Sequence, residues 1–378
     1  MSTRVFDWIV VGAGGAGCAA TYFLNRDGRS TLTIDRYRLN HAFGSSHGRT
    51  RILRTAYSEG PHYVPLVLRS RLLWRRLAKE VGREIFRPTG VVLVGRRNSS
   101  RIRGALKSAR LHGLPHEILS PEAIQARFPA FRPGPEEVAV WDPGGGVLFP
   151  ERALTSFVRR AAANGARFVW NAPVTDWEVG PDGLVRVTAR GSEFRARGLI
   201  LTTGAWLPSL LPELRLPLEI EQQTVFWFRY DAARRTAFQN MPAFVWQREG
   251  EGYFYGIPDM GDGVKVAADV GEPIRDLDHR SQRPSATELS RVRGFAREHL
   301  PGLSARPRQR ITCLYTNTPD HHFLIDVHPD HSNVILATAC SGHGFKFMTG
   351  IGEQLARMAR SGGRVPALQA FRLDRFRT

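Results

Sequence analysis

A glycine-rich loop near the start of the chain constrains the fold more than any other feature of the sequence. Residues 5–11, VFDWIVV, form a continuous apolar and β-branched run that predicts a buried parallel strand. Gly12, Gly14 and Gly17 follow directly in a G-x-G-x-x-G pattern, and a helix is predicted after them. A second strand, TLTI, ends at Asp35. This order of strand, loop, helix and strand predicts a dinucleotide-binding βαβ unit.

Each of these residues has a physical role in such a unit. Gly12 permits the tight turn, Gly14 lets the backbone approach a pyrophosphate, and Gly17 lets helix and strand pack closely. The positive end of the helix faces the phosphates. We expect the Asp35 carboxylate to accept hydrogen bonds from ribose hydroxyls. The glycine pattern alone does not distinguish FAD from NAD, and a glycine-rich turn without a ligand stays open as the alternative.

Length and composition favour a globular protein of two domains. The chain has 378 residues, of which 42% are hydrophobic. No uncharged apolar run reaches the roughly 18 residues of a membrane span. The apolar stretch at the start contains Asp7 and the cofactor loop, so it indicates a first strand rather than a signal peptide. Three dispersed cysteines predict neither a disulfide framework nor a metal site. We therefore expect a cytoplasmic protein.

The net charge of +18 raises the question of nucleic-acid binding. The basic residues, however, are scattered along the whole length and are almost all arginine. This distribution indicates a compositional bias rather than a binding patch, so no nucleic-acid partner is expected. Because arginine and lysine are not interchangeable at sites, the few lysines stand out. They are Lys79, Lys107, Lys265 and Lys346.

The pattern of predicted elements divides the chain into alternating segments. Sections that mix helices and strands lie at both ends and in the middle, and strand-rich sections with alternating apolar residues lie between them. This organisation predicts an α/β (α+β) fold with a Rossmann-like nucleotide-binding domain, discontinuous in sequence, and an inserted β-rich substrate domain. We assign residues 1–80, 148–215 and 310–378 to the first domain, and residues 81–147 and 216–309 to the second.

Three longer segments identify the family that the sequence resembles. They are GSSHGRTRILRTAYSEGPHYVPLVLRS at 44–70, ITCLYTNTPDHHFLID at 311–326 and SGHGFKF at 341–347. The chain resembles the monomeric sarcosine oxidase and N-methyltryptophan oxidase family of the D-amino-acid-oxidase-like flavoproteins over nearly its entire length. The resemblance implies FAD rather than NAD. It also implies a monomer whose partners are a small amino acid and oxygen.

The resemblance extends to the cofactor contacts. Cys313, in ITCLYT, matches the cysteine that forms a thioether to the flavin 8-methyl group, whereas Cys18 and Cys340 are expected to be ordinary structural cysteines. The stretch LILTTGAW is similar to a second flavin-contacting segment, in which Thr203, Gly204 and Ala205 would approach through their backbone. The motif SGHGFKF supplies three further expected contacts, namely His343, Gly344 and Lys346.

The same comparison assigns substrate contacts. Arg54 and Lys346 match the two cations that hold the substrate carboxylate, and the planar fork of arginine suits a carboxylate bidentately. Tyr255 and Tyr315 match aromatic residues around the substrate. These four residues are expected to form the substrate site.

Four residues are expected to act at the reaction centre. Lys265 matches a lysine that activates oxygen, because a fixed cation stabilises developing superoxide. His47 and Arg51 match residues that line the flavin face and tune its electronics. Asp269 stands where sarcosine-like members have a histidine, and an aspartate there is similar to the cyclic imino acid oxidase of nikkomycin biosynthesis. Such an anion could pair with a substrate ammonium or a second cation, and the aspartate could also be neutral if it is buried. Residues Phe244–Trp246 are expected to form part of the pocket wall.

The sequence therefore predicts an FAD-dependent oxidase of a small secondary amino acid. Sarcosine and N-methyltryptophan are the candidate substrates, and an imine and hydrogen peroxide are the products. Asp269 keeps a cyclic imino acid, such as proline, pipecolate or a dehydropipecolate, as the alternative substrate. Two further interpretations stay open, a nucleotide-binding protein without redox turnover and a dehydrogenase that reduces another protein. Lys265 argues against the latter.

Overall fold

The computed structural model describes residues 4–269, 271–281 and 283–376. Positions 1–3 and 377–378, at the two ends of the predicted nucleotide-binding domain, lie outside the described residues, as do positions 270 and 282 of the predicted substrate domain. Across the described ranges, no helix has the length and apolar character that crossing a membrane requires.

The strands, in chain order, are β1 Val5–Val11, β2 Thr31–Ile34, β3 Arg51–Leu53, β4 Phe86–Arg87, β5 Val91–Arg96, β6 Glu117–Leu119, β7 Glu137–Asp142, β8 Gly146–Leu148, β9 Arg167–Val169, β10 Val174–Val179, β11 Val185–Ala189, β12 Ser192–Leu201, β13 Glu219–Tyr230, β14 Ala243–Arg248, β15 Gly252–Ile257, β16 Val264–Ala268, β17 Glu272–Pro273, β18 Leu303–Asn317, β19 Leu324–Val327 and β20 Val334–Thr338. The α-helices are α1 Gly15–Arg26, α2 Val64–Val81, α3 Ser100–Leu111, α4 Pro121–Arg127, α5 Pro150–Ala163, α6 Leu207–Leu210, α7 Arg235–Asn240, α8 Ala286–His299 and α9 Met348–Ser361. Short 3-10 turns include Gly204–Trp206 and Phe345–Phe347.

One sheet carries the predicted dinucleotide unit. Its strands run in the order β10-β11-β12-β1-β2-β9, with β20 beside β12 and β19 beside β20. Strand β1 pairs in parallel with both β2 and β12, which makes it a central strand. Alternate residues of β1 point to opposite faces, so Val10 joins one core with α1 and α9, while Ile9 and Val11 join another. Burial on both faces explains why the end of this strand, IVV at residues 9–11, is continuously apolar.

A second sheet is built mostly from the strand-rich part of the chain. Its order is β17-β13-β16-β15-β14-β5-β7-β6, with β18 paired along β13. One face is apolar and packs against Val292 and Phe295 of α8. Even-numbered residues of β13 to β16, such as Phe226, Phe254 and Val266, point to that face. The odd-numbered residues of these strands point to the opposite face, towards the first sheet.

The structure confirms the predicted fold class and most of the predicted elements. Helices α2, α5 and α8 lie within one residue of the predicted bounds, at 64–81, 150–163 and 286–299. All strands of the first sheet fall in the segments assigned to nucleotide binding. The strands of the second sheet fall in the segments assigned to substrate binding, except that β18 continues across the assigned boundary to Asn317. The domain boundaries themselves stay a prediction.

Close contact between α1 and the loop that precedes it makes position 17 sensitive to any added side-chain atom. A Cβ built on Gly17 would lie 1.8 Å from the Gly12 carbonyl oxygen. Replacement by alanine must therefore push α1 off the sheet. We expect Gly17→Ala to lower the free energy of unfolding by about 3 kcal/mol, measured by urea denaturation.

Gly294→Ala is the matched control, since Gly294 lies inside α8 and no atom lies within 4 Å of the position that a Cβ would take there. This change should raise the free energy of unfolding by about 0.5–1 kcal/mol, because alanine is the better helix former. Equal effects of the two substitutions would contradict the steric argument.

Candidate active site

The glycine loop and the N-terminus of α1 border the larger of two adjoining cavities. Gly12 has a φ of +94°, and a Cβ there would meet the Thr202 carbonyl oxygen at 2.6 Å, so only glycine fits. Helix α1 begins at Gly15 without a side-chain cap. Its N-terminus opens on the first cavity, of about 1020 Å³, whose wall also contains Gly14 and Gly204. A helix N-terminus beside a cavity of this size fits a dinucleotide pyrophosphate.

Asp35 holds the glycine loop in place and lines the same cavity. One carboxylate oxygen accepts a hydrogen bond from the Ala13 amide at 2.6 Å, and the other accepts one from the Tyr37 amide at 2.7 Å. Each oxygen retains a second lone pair. The expected contact with a ribose hydroxyl therefore stays a prediction.

A second cavity of about 580 Å³ adjoins the first. The two share five wall residues, Ser45, Ser46, Ala339, Cys340 and Met348. Most of the residues predicted for flavin chemistry and substrate binding line this second cavity. They are Arg51, Arg54, Tyr255, Lys265, Asp269, Cys313, Tyr315, His343, Gly344 and Lys346.

Of the residues predicted for the cofactor site and the reaction centre, Gly17 and His47 line neither cavity. Gly17 lies in the first turn of α1, on the side that packs closely against Gly12 and Thr202, as its predicted role requires. His47 is buried and its backbone carbonyl accepts a hydrogen bond from Arg51. Burial and the Arg51 guanidinium lower the pKa of His47 to about 3, so its imidazole is neutral at physiological pH. Its Nε2 has no hydrogen-bond partner among the described residues.

Arg54 and Lys346 both line the second cavity, and the cationic groups of both lie over the ring of Tyr57. The Arg54 guanidinium lies 4.2 Å from the Tyr57 ring centroid, and the Lys346 Nζ lies 5.5 Å from it. Lys346 Nζ also donates to the His343 carbonyl at 2.6 Å. Burial lowers the pKa of Lys346 well below its ordinary value, and Arg54 adds to this effect. Two partly desolvated cations beside one cavity suit a carboxylate ligand.

Glu59 and Arg101 are the main cavity residues that sequence reasoning missed. The Glu59 carboxylate pairs with both Arg54 and Arg101. Burial would raise the pKa of Glu59, but the two guanidinium groups outweigh it and hold the pKa well below its ordinary value. Glu59 lies in RTAYSEG, which is part of the 44–70 segment that carries the family resemblance, so that resemblance could have identified it as a site residue. Arg101 resembles the many surface arginines of this chain, so nothing in its local sequence marks it.

Lys265 is buried in the middle of β16, with 2% of its surface exposed. Its Nζ donates hydrogen bonds to the carbonyl oxygens of Gly48 and Thr50, each at 3.0 Å, and lies 5.1 Å from the Trp227 ring centroid. Burial lowers its pKa well below the ordinary value, and Arg51 contributes in the same direction. Two carbonyl acceptors and an aromatic face nevertheless favour the ammonium form.

Two of the three cysteines line the second cavity. Cys313 is on β18 opposite Gln223 and lines the second cavity. Burial raises the pKa of its thiol, and the cations Arg51 and Lys265 oppose that rise. Cys340 was expected to be an ordinary structural cysteine, yet it is only partly buried and lines both cavities. Cys18 is fully buried, and its thiol donates to the Ala13 carbonyl.

Strand alternation corrects the predicted wall at Phe244–Trp246. Of these three residues, only Val245 lines the second cavity. Phe244 and Trp246 are fully buried on the other face of β14, where they pack against Phe295 of α8. Neighbouring residues of a strand point to opposite faces, so all three could not share one wall.

Other predicted site residues of the second cavity form hydrogen bonds or ion pairs with neighbouring polar groups. The hydroxyl oxygens of Tyr255 and Tyr315 are 3.4 Å apart. The Asp269 carboxylate lies 4.0 Å from an Arg101 Nη atom. His343 Nε2 lies 3.0 Å from the His321 carbonyl oxygen, so it must donate there, and Nδ1 then accepts from the Tyr57 hydroxyl at 2.6 Å.

Comparison with known proteins agrees with this geometry. A family model for FAD dependent oxidoreductases matches residues 7–358, so the chain belongs to that family. It is 38% identical to monomeric sarcosine oxidase of Bacillus sp. (strain NS-129), over 99% of this chain and 98% of the relative. It is 34% identical to N-methyl-L-tryptophan oxidase of Yersinia pseudotuberculosis serotype O:1b, over 98% of this chain and 100% of the relative.

Solved structures show the same fold at lower identity. The open form of NikD, an unusual amino acid oxidase essential for nikkomycin biosynthesis, superposes with a TM-score of 0.85 at 22% identity, covering 98% of each chain. Glycine oxidase from Geobacillus kaustophilus gives a TM-score of 0.81 at 18% identity, covering 98% of this chain and 99% of that one. The predicted FAD-binding fold is thereby confirmed.

The neutral state of His343 predicts a pH dependence of stability. Burial lowers its folded-state pKa from 6.5 to about 3. The unfolded chain therefore binds a proton more readily, and stability is lost as the pH falls below 6.5 towards 3. Each such histidine contributes about 1.4 kcal/mol per pH unit in this window.

His343→Gln should reduce this loss, because glutamine has both a donor and an acceptor but does not titrate. We would measure urea unfolding at pH 6.5 and about pH 5 in the wild type and the variant. An unchanged loss of stability in the variant would contradict the assignment of a depressed pKa to His343.

Proposed function

We propose that this protein is an FAD-dependent oxidase of a small secondary amino acid, with N-methyl amino acids such as sarcosine as its substrate class. The supporting observation is that Arg54, Lys346 and Lys265 meet in one cavity that adjoins the dinucleotide-binding loop. Full-length similarity to sarcosine and N-methyl-L-tryptophan oxidases supports the same activity. The products are an imine, which hydrolyses to an aldehyde and a glycine-type amino acid, and hydrogen peroxide.

The protein groups have distinct tasks in this reaction. When bound, FAD accepts two electrons from the C–N bond of the substrate and passes them to oxygen. Arg54 and Lys346 hold the substrate carboxylate, which competes with Glu59 for the Arg54 guanidinium. Positioning of the amine in an enclosed cavity supplies much of the rate. The amine must lose its proton, because its lone pair drives the loss of hydride.

Anaerobic mixing with candidate substrates tests this proposal. We expect sarcosine or an N-methyl amino acid to bleach the flavin absorbance, and admission of oxygen to restore it with one peroxide per substrate oxidised. Proline and pipecolate are tested in the same way, as representatives of the cyclic imino acids. The presence of Asp269 in the cavity wall favours them as the second candidate class. No bleaching by any of these amines would refute an amine oxidase.

We propose further that Cys313 carries the flavin as a covalent thioether. The buried thiol lies near Arg51 and Lys265, two cations that favour its reactive thiolate form. The predicted result is that acid precipitation leaves the yellow colour in the pellet of the wild type and of Cys340→Ala. Cys313→Ala should instead release the colour into the supernatant.

Cys340 is the matched control because it lines the second cavity as Cys313 does, and it lines the first cavity as well. Colour in the supernatant of the wild type would rule out the thioether. If only Cys340→Ala released the yellow colour into the supernatant, Cys340 rather than Cys313 would be the site of flavin attachment.

Lys265 is proposed to favour the reaction with oxygen, since a fixed buried cation stabilises the superoxide that forms first. Lys265→Met should therefore slow reoxidation at least about 100-fold while slowing reduction much less. Lys346→Met should show the opposite pattern, because that lysine holds the substrate. Stopped-flow measurement of the two half-reactions distinguishes them, and equal slowing of both by Lys265→Met would contradict the proposed role.

We also expect the protein to act as a monomer. This expectation is supported by its similarity to sarcosine oxidases that are described as monomeric.

A further inference from the structure

Arg101 extends from the first turn of α3 into the wall of the second cavity, although the proposed reaction gives it no task. One Nη atom donates to the Glu59 carboxylate and, at 3.1 Å, to the Ser58 hydroxyl. The other lies 4.0 Å from the Asp269 carboxylate. The guanidinium also stacks over the Tyr253 ring, 4.1 Å from its centroid. Arg101 thus joins two carboxylates that come from different parts of the chain.

Helix α3 is fixed in place, so these contacts are not those of a mobile surface side chain. Ile102 and Ala105 are fully buried in the core beside Arg101. The backbone amide of Arg101 is also anchored, since it donates to the Gln247 side chain at 3.0 Å. Both ends of the arginine are therefore held, and its charge has a defined position in the cavity wall.

Asp269 depends on this charge. It follows β16, four residues after Lys265, and 31% of its side chain is exposed. Burial raises the pKa of Asp269, and Arg101 is the main opposing influence. The charged and titratable groups that face it from the surrounding elements are Arg54, Glu59, Arg101, Glu221, Tyr255 and Tyr315. Removal of Arg101 would leave Arg54 as the one cation of that set, against Glu59, Glu221 and Asp269 itself.

An unpaired carboxylate in this wall would oppose the reaction. The substrate enters as an ammonium with a pKa of about 10, yet it reacts as the neutral amine. A nearby anion stabilises the ammonium and raises its pKa, whereas a nearby cation lowers it. An aspartate beside the amine is therefore unfavourable unless a positive charge compensates it.

We propose that Arg101 is a positioning residue that holds Asp269 in an ion pair and thereby favours the neutral, reactive form of the substrate amine. This inference rests on the proposed amine oxidation and deepens it. Arg101 need not touch the substrate. It sets the electrostatic environment in which the amine loses its proton, and Glu59 anchors it for that task.

The first test is the pH profile of flavin reduction under anaerobic conditions, between about pH 6 and pH 10. In Arg101→Gln we expect the midpoint to rise by about one pH unit, with the rate about tenfold lower at neutral pH and close to wild type at high pH. Arg101→Lys, which keeps the charge, should restore most of the shift. The double variant Arg101→Gln/Asp269→Asn should return the midpoint towards wild type. A rate lowered equally at every pH would overturn the inference and indicate a merely structural role.

A second test uses binding alone, so it does not depend on turnover. Trimethylglycine and tert-butylacetate share a carboxylate and the same shape, but the first has a permanently charged trimethylammonium group where the second has an uncharged tert-butyl group. Their dissociation constants, followed by flavin absorbance, compare the site for a charged and an uncharged group. Arg101→Gln should shift the affinity ratio about tenfold in favour of trimethylglycine, and Asp269→Asn should shift it the opposite way. An unchanged ratio would overturn the inference, as would the failure of wild type to bind either ligand.

The two tests separate the inference from the function on which it rests. Failure of all N-methyl and cyclic amino acids to reduce the wild-type flavin would refute the proposed activity, while the affinity ratio would still report on Arg101. Reduction of the wild type with an unshifted midpoint and an unshifted ratio in the variant would refute the role of Arg101 alone.

Discussion

The pairing of β13 with β16 and β18 is the interaction on which the cavity depends. Strand β13 is antiparallel to β16 on one side and, over its length, to the long strand β18 on the other. This register sets Trp227 opposite Lys265 and Gln223 opposite Cys313. A shift of one residue in either pair would turn these side chains to the apolar face. The positions of the proposed oxygen-activating lysine and the proposed flavin attachment therefore follow from one set of backbone hydrogen bonds.

The second cavity concentrates charge in a way that few protein interiors allow. Burial of an unpaired ion is costly, and each of these charges has a compensating partner. Lys265, Lys346 and Arg51 each donate a hydrogen bond to a backbone carbonyl oxygen. The Glu59 carboxylate forms ion pairs with both Arg54 and Arg101. Five lining cations against two carboxylates leave an excess of positive charge. An anionic ligand in the cavity would offset it, which is the electrostatic basis for the proposed binding of an amino acid through its carboxylate.

Much of the fold and part of the site could be predicted from the sequence. The glycine loop with Asp35 predicted the βαβ unit, because a tight turn and a buried strand leave strong local patterns. Ten of the expected residues line one cavity, and these came from long segments shared with a known family. Arg101 was missed because α3 contains three arginines and its sequence does not indicate which of them points into the cavity. The wall at Phe244–Trp246 was wrong because neighbouring strand residues face opposite ways, and Cys340 was missed because its exposure depends on packing between distant segments.

The two faces of the second sheet have different tolerances for change. On β13 to β16, side chains that pack on α8 alternate with side chains that border the cavity. A substitution such as one at Tyr253 or Val245 can alter the cavity without removing a core contact, whereas one at Phe254 or Trp246 cannot. Substrate preference in this scaffold can thus diverge at those strand positions that border the cavity and lie outside the core, such as 245 and 253. New specificities are accessible by single substitutions that leave the folding core of the sheet intact.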